Sequence, residues 1–332
     1  MNKKHIEEQL NNYGSLNEPF FFIISYDFSK FYCEKLSNLP NSIKFEVNQK
    51  TSSKIKHKTK VEKYPLAFEE YKKKFDILQE EIRSGNTYLL NLTAKTKIKT
   101  EFTLDEIYEK VNAKFKLRYE NQDDNFVCFS PERFVEIKKN KIYTYPMKGT
   151  IDAKLPNAHA KILGDVKEMA EHTMVVDLLR NDLGIISSKV SVDKFRYIDK
   201  INAGDKKLLQ VSSKISGHLE ENWNENLGSI ITAMLPAGSI TGTPKKKTVE
   251  LLNQTENYNR DFYTGVFGVY DGKSLDSAVM IRFIEEDKNK SQYYKSGGGI
   301  TCDSDVNLEY QELLDKIYLP SPFVCPAVHL FM

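Results

Sequence analysis

The spacing of apolar residues along the chain alternates between the pattern of strands and the pattern of helices. The unbroken apolar run Phe20-Phe21-Phe22-Ile23-Ile24 predicts a buried central strand. Apolar residues at intervals of three and four predict a helix over residues 66–84. The same criteria predict further strands at 88–93, 125–129, 134–138, 141–145, 207–217, 261–270, 277–285 and 292–296, and further helices at 104–115, 158–183, 224–234, 244–252 and 306–317.

The longest predicted helix covers residues 158–183, and Gly184 is expected to follow its last residue. The side expected to face the core is formed by Leu163, Val166, Met169 or Ala170, and Thr173. The stretch 48–63 is polar and rich in lysine, so we expect a loop or an exposed hairpin there.

The chain contains no internal repeat, no low-complexity tract and no linker rich in Pro, Gly or Ser. This organisation predicts one closely packed α/β (α+β) unit with mainly antiparallel strands, not a series of βαβ nucleotide-binding units. Residues 1–75 carry few chemical signals. We expect them to be an N-terminal segment packed on a main unit, residues 76–320, that precedes a short tail, residues 321–332.

Composition excludes several classes of protein. With 332 residues, 40% hydrophobic and 28% charged, the chain is long enough for a globular core, and its net charge of +2 does not favour nucleic acid. The cysteines (Cys33, Cys128, Cys302 and Cys325) are isolated, which argues against a disulfide framework or a structural zinc site. The first residues lack the apolar core of a signal peptide, and no membrane span is evident. We therefore expect a soluble cytoplasmic protein.

The segment Tyr145-Pro146-Met147-Lys148-Gly149-Thr150 is the strongest chemical signal. Proline restricts the backbone before the lysine, and glycine after it allows close approach of a ligand. A lysine in a rigid turn becomes a nucleophile where burial or a neighbouring cation lowers its pKa. On this hexapeptide alone, a surface lysine on a hairpin is the commoner alternative.

Two pairs of glutamates have the same helical spacing. Glu168 and Glu171 lie three residues apart in one predicted helix, and Glu309 and Glu312 repeat that spacing in the last one. If the two pairs met across a cleft, their carboxylates would suit Mg²⁺, which prefers oxygen ligands and retains water. For each pair taken alone, surface charges are the commoner explanation, and Lys316 is placed for an ordinary ion pair with Glu312.

Three other features favour an anionic ligand. Gly297, Gly298 and Gly299 follow a predicted strand and leave backbone N–H groups open, although a flexible hairpin explains them equally well. Arg282 interrupts the apolar run of a predicted strand, and its planar guanidinium suits a carboxylate. Tyr263 is expected near the start of the preceding strand, where packing on the sheet is an alternative to ligand contact.

Taken together and in this order, the motifs resemble those of the chorismate-utilising enzymes, and most closely the aminodeoxychorismate synthases among them. The resemblance covers residues 80–318. The motifs that carry it are Ser130-Pro131-Glu132-Arg133-Phe134, Pro146-Met147-Lys148-Gly149-Thr150, Lys167-Glu168-Met169-Ala170-Glu171-His172, residues 176–184, residues 235–245, Ile281-Arg282 and residues 297–312.

The resemblance implies a Mg²⁺-dependent enzyme that binds chorismate in a cleft of a two-layered, mainly antiparallel β-sandwich flanked by helices. It assigns substrate binding to Gly149, Thr150, Tyr263, Arg282, Gly297, Gly298 and Gly299. It assigns the metal site to Glu168, Glu171, Glu309 and Glu312.

Lys148 distinguishes between branches of the family. The anthranilate synthases, which this chain also resembles, usually have alanine at this position, whereas the aminodeoxychorismate synthases have lysine. In that branch, the lysine is proposed to add to C2 of the chorismate ring while the C4 hydroxyl leaves, and ammonia then enters at C4. The resemblance makes Glu132 the acid that protonates the leaving hydroxyl. Without the resemblance, an ion pair between Glu132 and Arg133 is the simpler interpretation.

The sequence departs from the family pattern in three respects. Gln210 stands where relatives often have histidine, so no acid–base role is expected there. The segment before Glu132 is short, so a tryptophan-binding portion is expected to be abbreviated. No glutaminase-like motif is present, and ammonia is therefore expected from solution or from a separate glutamine amidotransferase subunit.

Two alternatives remain open at this stage. One is anthranilate synthase component I, and the other is a non-catalytic subunit that binds chorismate or an amidotransferase.

Overall fold

The computed structural model describes residues 2–49, 61–203 and 206–319. Their helices are α1 (Lys3–Ser15), α2 (Phe68–Arg83), α3 (Leu104–Lys110), α4 (Ala158–Gly164), α5 (Val166–Ile186), α6 (Leu227–Met234), α7 (Lys245–Thr255) and α8 (Val306–Asp315). Their strands are β1 (Phe20–Ile24), β2 (Phe31–Lys35), β3 (Ile43–Glu46), β4 (Glu62–Tyr64), β5 (Leu89–Lys99), β6 (Phe115–Glu120), β7 (Asn125–Ser130), β8 (Arg133–Lys138), β9 (Lys141–Thr144), β10 (Met147–Asp152), β11 (Ser188–Ala203), β12 (Lys206–His218), β13 (Gly242–Thr243), β14 (Val266–Tyr270), β15 (Ser274–Val279), β16 (Phe283–Glu286) and β17 (Gln292–Ile300). Most of the predicted polar stretch, the predicted tail and Cys325 lie outside the described residues.

Two antiparallel sheets form the centre of the structure. One has the order β10-β12-β9-β8-β15-β14-β1-β2 with β11 beside β12, and the other has the order β13-β5-β17-β16-β7-β6-β3 with β4 beside β5. Helices α1, α5 and α6 contribute to the core on the first sheet, and α2, α7 and α8 to the core on the second. The predicted fold class, two layers of mainly antiparallel strands flanked by helices, is confirmed.

Strand β1 shows why the sequence contains an unbroken apolar run. Phe20 and Phe22 pack in the core beneath α1 and α5, whereas Phe21 and Ile23 pack in the core between the sheets. Because alternate side chains of a strand point to opposite faces, a strand buried on both faces must be apolar throughout. The predicted buried strand is confirmed, but it is the second strand from the sheet edge and not a central one, with β14 on one side and the edge strand β2 on the other. The predicted domain boundaries at residues 75 and 320 stay predictions.

Two short connections carry the chain between the sheets, one from β7 to β8 and the other from β15 to β16. They lie side by side, since the Val279 N–H donates to the Glu132 carbonyl and the Phe129 N–H donates to the Arg282 carbonyl, each at 3.2 Å. The strand predicted over residues 277–285 is therefore two strands in different sheets. Arg282 has a φ of 54°, which interrupts the extended backbone between them.

The long helix predicted over residues 158–183 is two helices, and its predicted buried side was wrong. Asp165 separates α4 from α5, and its side chain caps α5 by accepting from the Glu168 N–H at 2.9 Å. Helix α5 continues past Gly184 to Ile186. Of the residues expected to face the core, Leu163, Val166 and Met169 are exposed. The buried side instead includes Glu171, His172, Val175, Val176, Leu178, Leu179, Asp182 and Leu183.

Helix α1 was not predicted because the segment is largely polar. Only Ile6, Leu10 and Gly14 of α1 are buried, and Glu7 accepts a hydrogen bond of 2.6 Å from Thr232 of α6. The helix therefore forms through its contact with α6 and not through strong periodicity of its own. None of the helices in the described residues is both long and apolar enough to cross a lipid bilayer.

Candidate active site

The site forms around Lys148 in β10. Strand β10 pairs with β12, and the pairing shifts at Gly149, which has a φ of 70°. A Cβ atom at residue 149 would lie 3.3 Å from Oε2 of Glu168. Glycine therefore serves two purposes here, because it tolerates the left-handed backbone and lets the first turn of α5 approach the strand.

The Lys148 side chain points toward two groups that the sequence assigned to the site. Its Nζ donates a hydrogen bond of 2.8 Å to Oε2 of Glu171. The same Nζ would lie 3.6 Å from a Cβ atom placed on Gly299. The side chain is 29% exposed, so the amine is sheltered while remaining open to the cleft.

The charge of Lys148 is set by opposing effects. Burial by itself lowers the pKa of Lys148, but the neighbouring carboxylates outweigh burial and hold that pKa above its ordinary value. The carboxylates that do so belong to Glu171, Glu312 and Glu168. Without a ligand, the lysine is therefore a protonated ammonium inside an acidic cluster.

The two glutamate pairs come together at this cluster. A Cβ atom placed on Gly298 would lie 3.5 Å from Oε2 of Glu309 and 3.9 Å from Oε1 of Glu312. Burial, followed by repulsion from Glu312, raises the pKa of Glu309 to about 7. The ammonium of Lys316, 2.6 Å from Oε1 of Glu312, lowers the pKa of Glu312 to about 2. Burial also raises the pKa of Glu168.

Each pair contributes one buried carboxylate oxygen without a hydrogen-bond partner. These atoms are Oε2 of Glu168 and Oε2 of Glu309. Among the described residues, no three acidic, His or Cys side chains are gathered closely enough to enclose an ion by themselves. Each pair also has a lysine ammonium near one of its members, since Nζ of Lys148 lies 2.8 Å from Oε2 of Glu171 and Nζ of Lys167 lies 3.8 Å from Oε1 of Glu309. Because an unpaired buried carboxylate oxygen is costly, the two free oxygens fit a bound cation.

Glu132 occupies the connection between β7 and β8. Its Oε1 accepts a hydrogen bond from the Ser239 hydroxyl. The alternative pairing with Arg133 is not formed, because Arg133 makes two hydrogen bonds of 2.8 Å to Asp276. Burial raises the pKa of Glu132 above its ordinary value. The groups that oppose this rise without reversing it are Ser239, Arg282, Lys148 and Lys316.

Arg282 lies in the neighbouring connection, with its guanidinium close enough to Glu132 to affect the pKa of that carboxyl. Its Nε donates to the Tyr318 hydroxyl at 3.3 Å, and its guanidinium carbon lies 5.5 Å from the centre of that ring. In the described part of the chain, the neighbours that most affect the pKa of Arg282 are the tyrosines Tyr318, Tyr294 and Tyr263, and its side-chain hydrogen bond goes to Tyr318 and not to a carboxylate. Its charge is therefore available for an anionic ligand. Tyr263 is buried beside it, with its ring 5.9 Å from that of Phe283.

The three glycines form part of β17 and not the turn that the sequence suggested. They pair along β5, with Gly298 opposite Leu92 and Gly299 opposite Asn91. On the other side of β17, pairing with β16 ends at Lys295, before the glycines begin. Lys316 donates to the Gly297 carbonyl at 2.7 Å, which shows that side chains reach this strand edge. On this side, the backbone groups of the glycines are therefore not paired with β16.

Thr150 also lies at the site, but the structure gives its side chain no distinctive contact. It is partly exposed and stands opposite Gln210 in the β10–β12 pair. Gln210 is thus adjacent to the strand that carries Lys148, although it is not a titratable group.

Sequence reasoning missed two side chains at the site. Ser239, which contacts Glu132, lies in the segment 235–245, which had been named only as one of the motifs that carry the resemblance. Lys316 was considered only as a partner of Glu312, yet it also binds the Gly297 carbonyl. Neither contact has a local sequence signal, because each joins residues that are distant in the chain or on different elements.

Comparison with known proteins identifies the family to which the chain belongs. Residues 27–321 match the chorismate binding enzyme family, so the chain belongs to that family. An uncharacterised PabA-like protein of Haemophilus influenzae is 46% identical over 321 residues, which cover 96% of this chain and 97% of that protein.

Relatives with named activities are more distant. Aminodeoxychorismate synthase component 1 of Salmonella typhimurium is 30% identical over 75% of this chain and 56% of its own length. An anthranilate synthase component 1 of Haloarcula marismortui is also 30% identical, over 75% of this chain and 52% of its own length. The structure of MenF, the menaquinone-specific isochorismate synthase of Escherichia coli, has a TM-score of 0.67 at 14% identity. That match covers 94% of this chain and 80% of MenF, and it supports the fold alone.

Proposed function

We propose that the protein aminates chorismate at C4 to form 4-amino-4-deoxychorismate, a precursor of p-aminobenzoate and folate. The observation that carries this proposal is the position of Lys148, whose amine stands between Glu171 and the glycine strand. Sequence identity does not separate the candidates, because a synthase of each type is 30% identical to this chain. Lys148 supports amination over anthranilate synthesis, since of these two routes only the amination proposed here uses a primary amine at this position.

The proposed reaction proceeds by two displacements. The neutral amine of Lys148 forms a bond to C2, the two ring double bonds each shift by one position, and the C4 hydroxyl leaves. Glu132 gives its proton to that hydroxyl, which departs as water. Ammonia then bonds to C4, the double bonds shift back, and the Lys148 amine leaves C2. C4 is trigonal in the intermediate, so the configuration of the product is set by the ring face from which ammonia enters, and it is retained if ammonia enters on the face that the hydroxyl left.

For the first step, Lys148 must lose a proton. Glu171 already accepts a hydrogen bond of 2.8 Å from the ammonium, so it is placed to accept that proton. Glu132 must hold a proton, and burial raises its pKa as this role requires. The first step therefore needs a neutral Lys148 and a protonated Glu132, the opposite of the states that free lysine and free glutamate have at neutral pH.

We propose that Mg²⁺ is the cofactor, because family members typically depend on it and the two free carboxylate oxygens fit a cation. Glu168, Glu171, Glu309 and Glu312 would hold it. Bound there, the ion would neutralise a carboxylate of the substrate. Arg282 would bind the second carboxylate of chorismate. Its guanidinium suits a carboxylate and lies near Glu132, in the connection between β15 and β16.

Magnesium should stabilise the folded protein through these carboxylates. At a concentration of 100 times its Kd, we expect Mg²⁺ to raise the free energy of unfolding by about 2.7 kcal/mol. In the Glu309→Gln variant, the gain should be largely lost, because one of the unpartnered oxygens becomes an amide group. Thermal unfolding with and without Mg²⁺ measures this directly, with no turnover involved. Equal stabilisation of both proteins would exclude Glu309 as a ligand.

The proposed ammonia source is a separate glutamine amidotransferase subunit. The reaction itself needs only ammonia at C4, so a high concentration of ammonium should replace the partner in an assay. Glutamine should support amination of chorismate only when such a subunit is added.

The function is tested by incubating the purified protein with chorismate, Mg²⁺ and ammonium, with and without a separate aminodeoxychorismate lyase. We expect p-aminobenzoate only when the lyase is present. Fluorescent anthranilate formed without the lyase would instead support anthranilate synthase component I. No product under either condition, together with chorismate binding, would support a non-catalytic subunit.

A further inference from the structure

The segment of residues 235–243, here called the serine loop, carries Ser239 to Glu132. It joins the end of α6 to the start of α7, and Ser239 lies in a short 3-10 turn within it. The Ser239 hydroxyl donates to Oε1 of Glu132. The orientation of the proposed acid therefore depends on how firmly this loop is held.

Lys245 closes the serine loop at its base. It is the first residue of α7, yet its Nζ donates at 3.0 Å to the carbonyl of Met234, the last residue of α6. The same Nζ donates at 2.8 Å to Oδ1 of Asp182 in α5. One ammonium thus joins both ends of the loop to the helix that also carries Glu168 and Glu171.

Asp182 packs closely against the loop. It is 3% exposed, and a Cβ atom placed on Gly238 would lie only 2.9 Å from its Oδ2. The loop residue next to Ser239 therefore has no space to move toward α5. On the other side, Arg260 donates at 3.1 Å to the carbonyl of Ile240, the residue after Ser239. The turn is held on both sides of the serine.

We propose that Lys245 and Asp182 are positioning residues, which hold the serine loop so that Ser239 keeps Glu132 in the orientation needed to protonate the leaving hydroxyl. This inference rests on the proposed function of Glu132. Neither residue contacts Glu132, and their effect is transmitted through the loop. A displacement of about 1 Å at a reacting group lowers turnover by about 10²-fold.

One alternative is distinguishable from this role. Lys245 and Asp182 are also a partly buried ion pair, which would stabilise the fold without any specific effect on Glu132. A stabilising role alone predicts normal turnover in every molecule that folds. A positioning role predicts a lower kcat in folded protein with little change in chorismate affinity.

The kinetic test compares Lys245→Met with Lys246→Met, a matched change at the exposed neighbouring lysine of α7. In the ammonium-dependent reaction, we expect Lys245→Met to lower kcat by about 10- to 100-fold, with chorismate affinity within about twofold of the unaltered protein. Lys246→Met should behave like the unaltered protein, and Lys245→Arg should restore part of the activity. Equal kcat in the two methionine variants would overturn the proposal.

A double variant tests the route of the effect. If Lys245 acts through Ser239, then adding Lys245→Met to Ser239→Ala should lower kcat by no more than about twofold beyond Ser239→Ala alone. Effects that multiply in the double variant would mean that Lys245 acts independently of Ser239, contrary to the proposal.

A measurement without turnover separates this inference from the proposed function. Hydrogen exchange of the serine-loop amides should be about tenfold faster or more in Lys245→Met than in Lys246→Met, in conditions where both proteins are folded. Equal exchange rates would overturn the positioning role whatever reaction the protein catalyses. If exchange is faster in Lys245→Met but the protein makes no aminodeoxychorismate, then Lys245 does hold the serine loop, and only the role of that loop in amination is rejected.

Discussion

Replacing Lys148 with alanine should lower ammonia-dependent amination of chorismate by about 10³-fold or more, the scale expected when a nucleophile is removed. The variant lacks the amine that bonds to C2, so the C4 hydroxyl would have to leave without prior addition to the ring. The Lys316 amine is not a ready substitute, because it is held by Glu312 and by the Gly297 carbonyl. Single-turnover formation of aminodeoxychorismate, coupled to the lyase, measures the loss.

Lys154→Ala is a suitable control for this prediction. Lys154 is exposed in the turn that follows β10, so it shares the local chain but not the cleft. Its replacement should leave turnover within about twofold, as is usual for surface substitutions. Chorismate binding by Lys148→Ala should be measured by equilibrium dialysis, to separate lost chemistry from lost binding. Full turnover by Lys148→Ala would refute the covalent route.

Replacing Glu132 with glutamine should lower kcat by about 10²- to 10⁴-fold, the usual contribution of a general acid. Glutamine keeps the size of the side chain and can still bind Ser239, but it has no proton of suitable acidity for the leaving hydroxyl. The substrate affinity should change little, because proton transfer is needed only in the transition state. Steady-state kinetics with chorismate as the varied substrate checks both quantities.

The pH dependence offers a second readout of Glu132. Burial raises its pKa in the folded protein, so the proton stays bound to higher pH than on an exposed glutamate and is lost as pH rises through that value. The kcat of the unaltered protein should therefore decrease as pH rises through the pKa of Glu132. The Glu132→Gln variant should not show this decrease. An exposed carboxylate in the turn before β7 provides the control, and Asp123→Asn should retain the original profile.

Stability distinguishes this loss of activity from unfolding. Burial raises the pKa of Glu132 in the folded protein, so the folded protein binds this proton more tightly than the unfolded chain does. The free energy of unfolding therefore decreases as pH rises above the pKa that Glu132 has in the unfolded chain, which is a penalty on folding at neutral pH. Glu132→Gln removes this penalty, so the variant should be at least as stable as the unaltered protein at neutral pH. A strongly destabilised variant would contradict the prediction and would indicate that Glu132 supports the fold.

Secondary structure was predictable from sequence where burial by apolar side chains determines the residue pattern of a whole segment. Strand β1 is buried on both faces, which requires five consecutive apolar residues, and the segment was predicted with its observed bounds. Helix α2 buries Tyr71, Phe75, Leu78 and Ile82, so its periodicity is plain. Helix α5 was misjudged because its buried side carries Glu171, His172 and Asp182, whose burial depends on partners in other elements.

The site was predictable as a set of residue types and not as an arrangement. The spacing of Glu168 and Glu171 indicated one helical face, but it did not show that Lys148 would form a hydrogen bond with Glu171. The glycines were assigned to a turn because glycine disfavours strands, whereas pairing with β5 overcomes that preference.

The sequence by itself determined the residue types of the chemistry, the strand β1 that is buried on both faces, and the alternation of strands and helices, because these depend on local composition and spacing. Only the tertiary structure decided that Glu132 and Arg282 share two adjacent connections between the sheets, and that Ser239 contacts the acid. The physical reason is that these contacts join residues far apart in the chain. Their geometry follows from strand pairing and from the packing of α5 and α8 against the sheets, which no local pattern specifies.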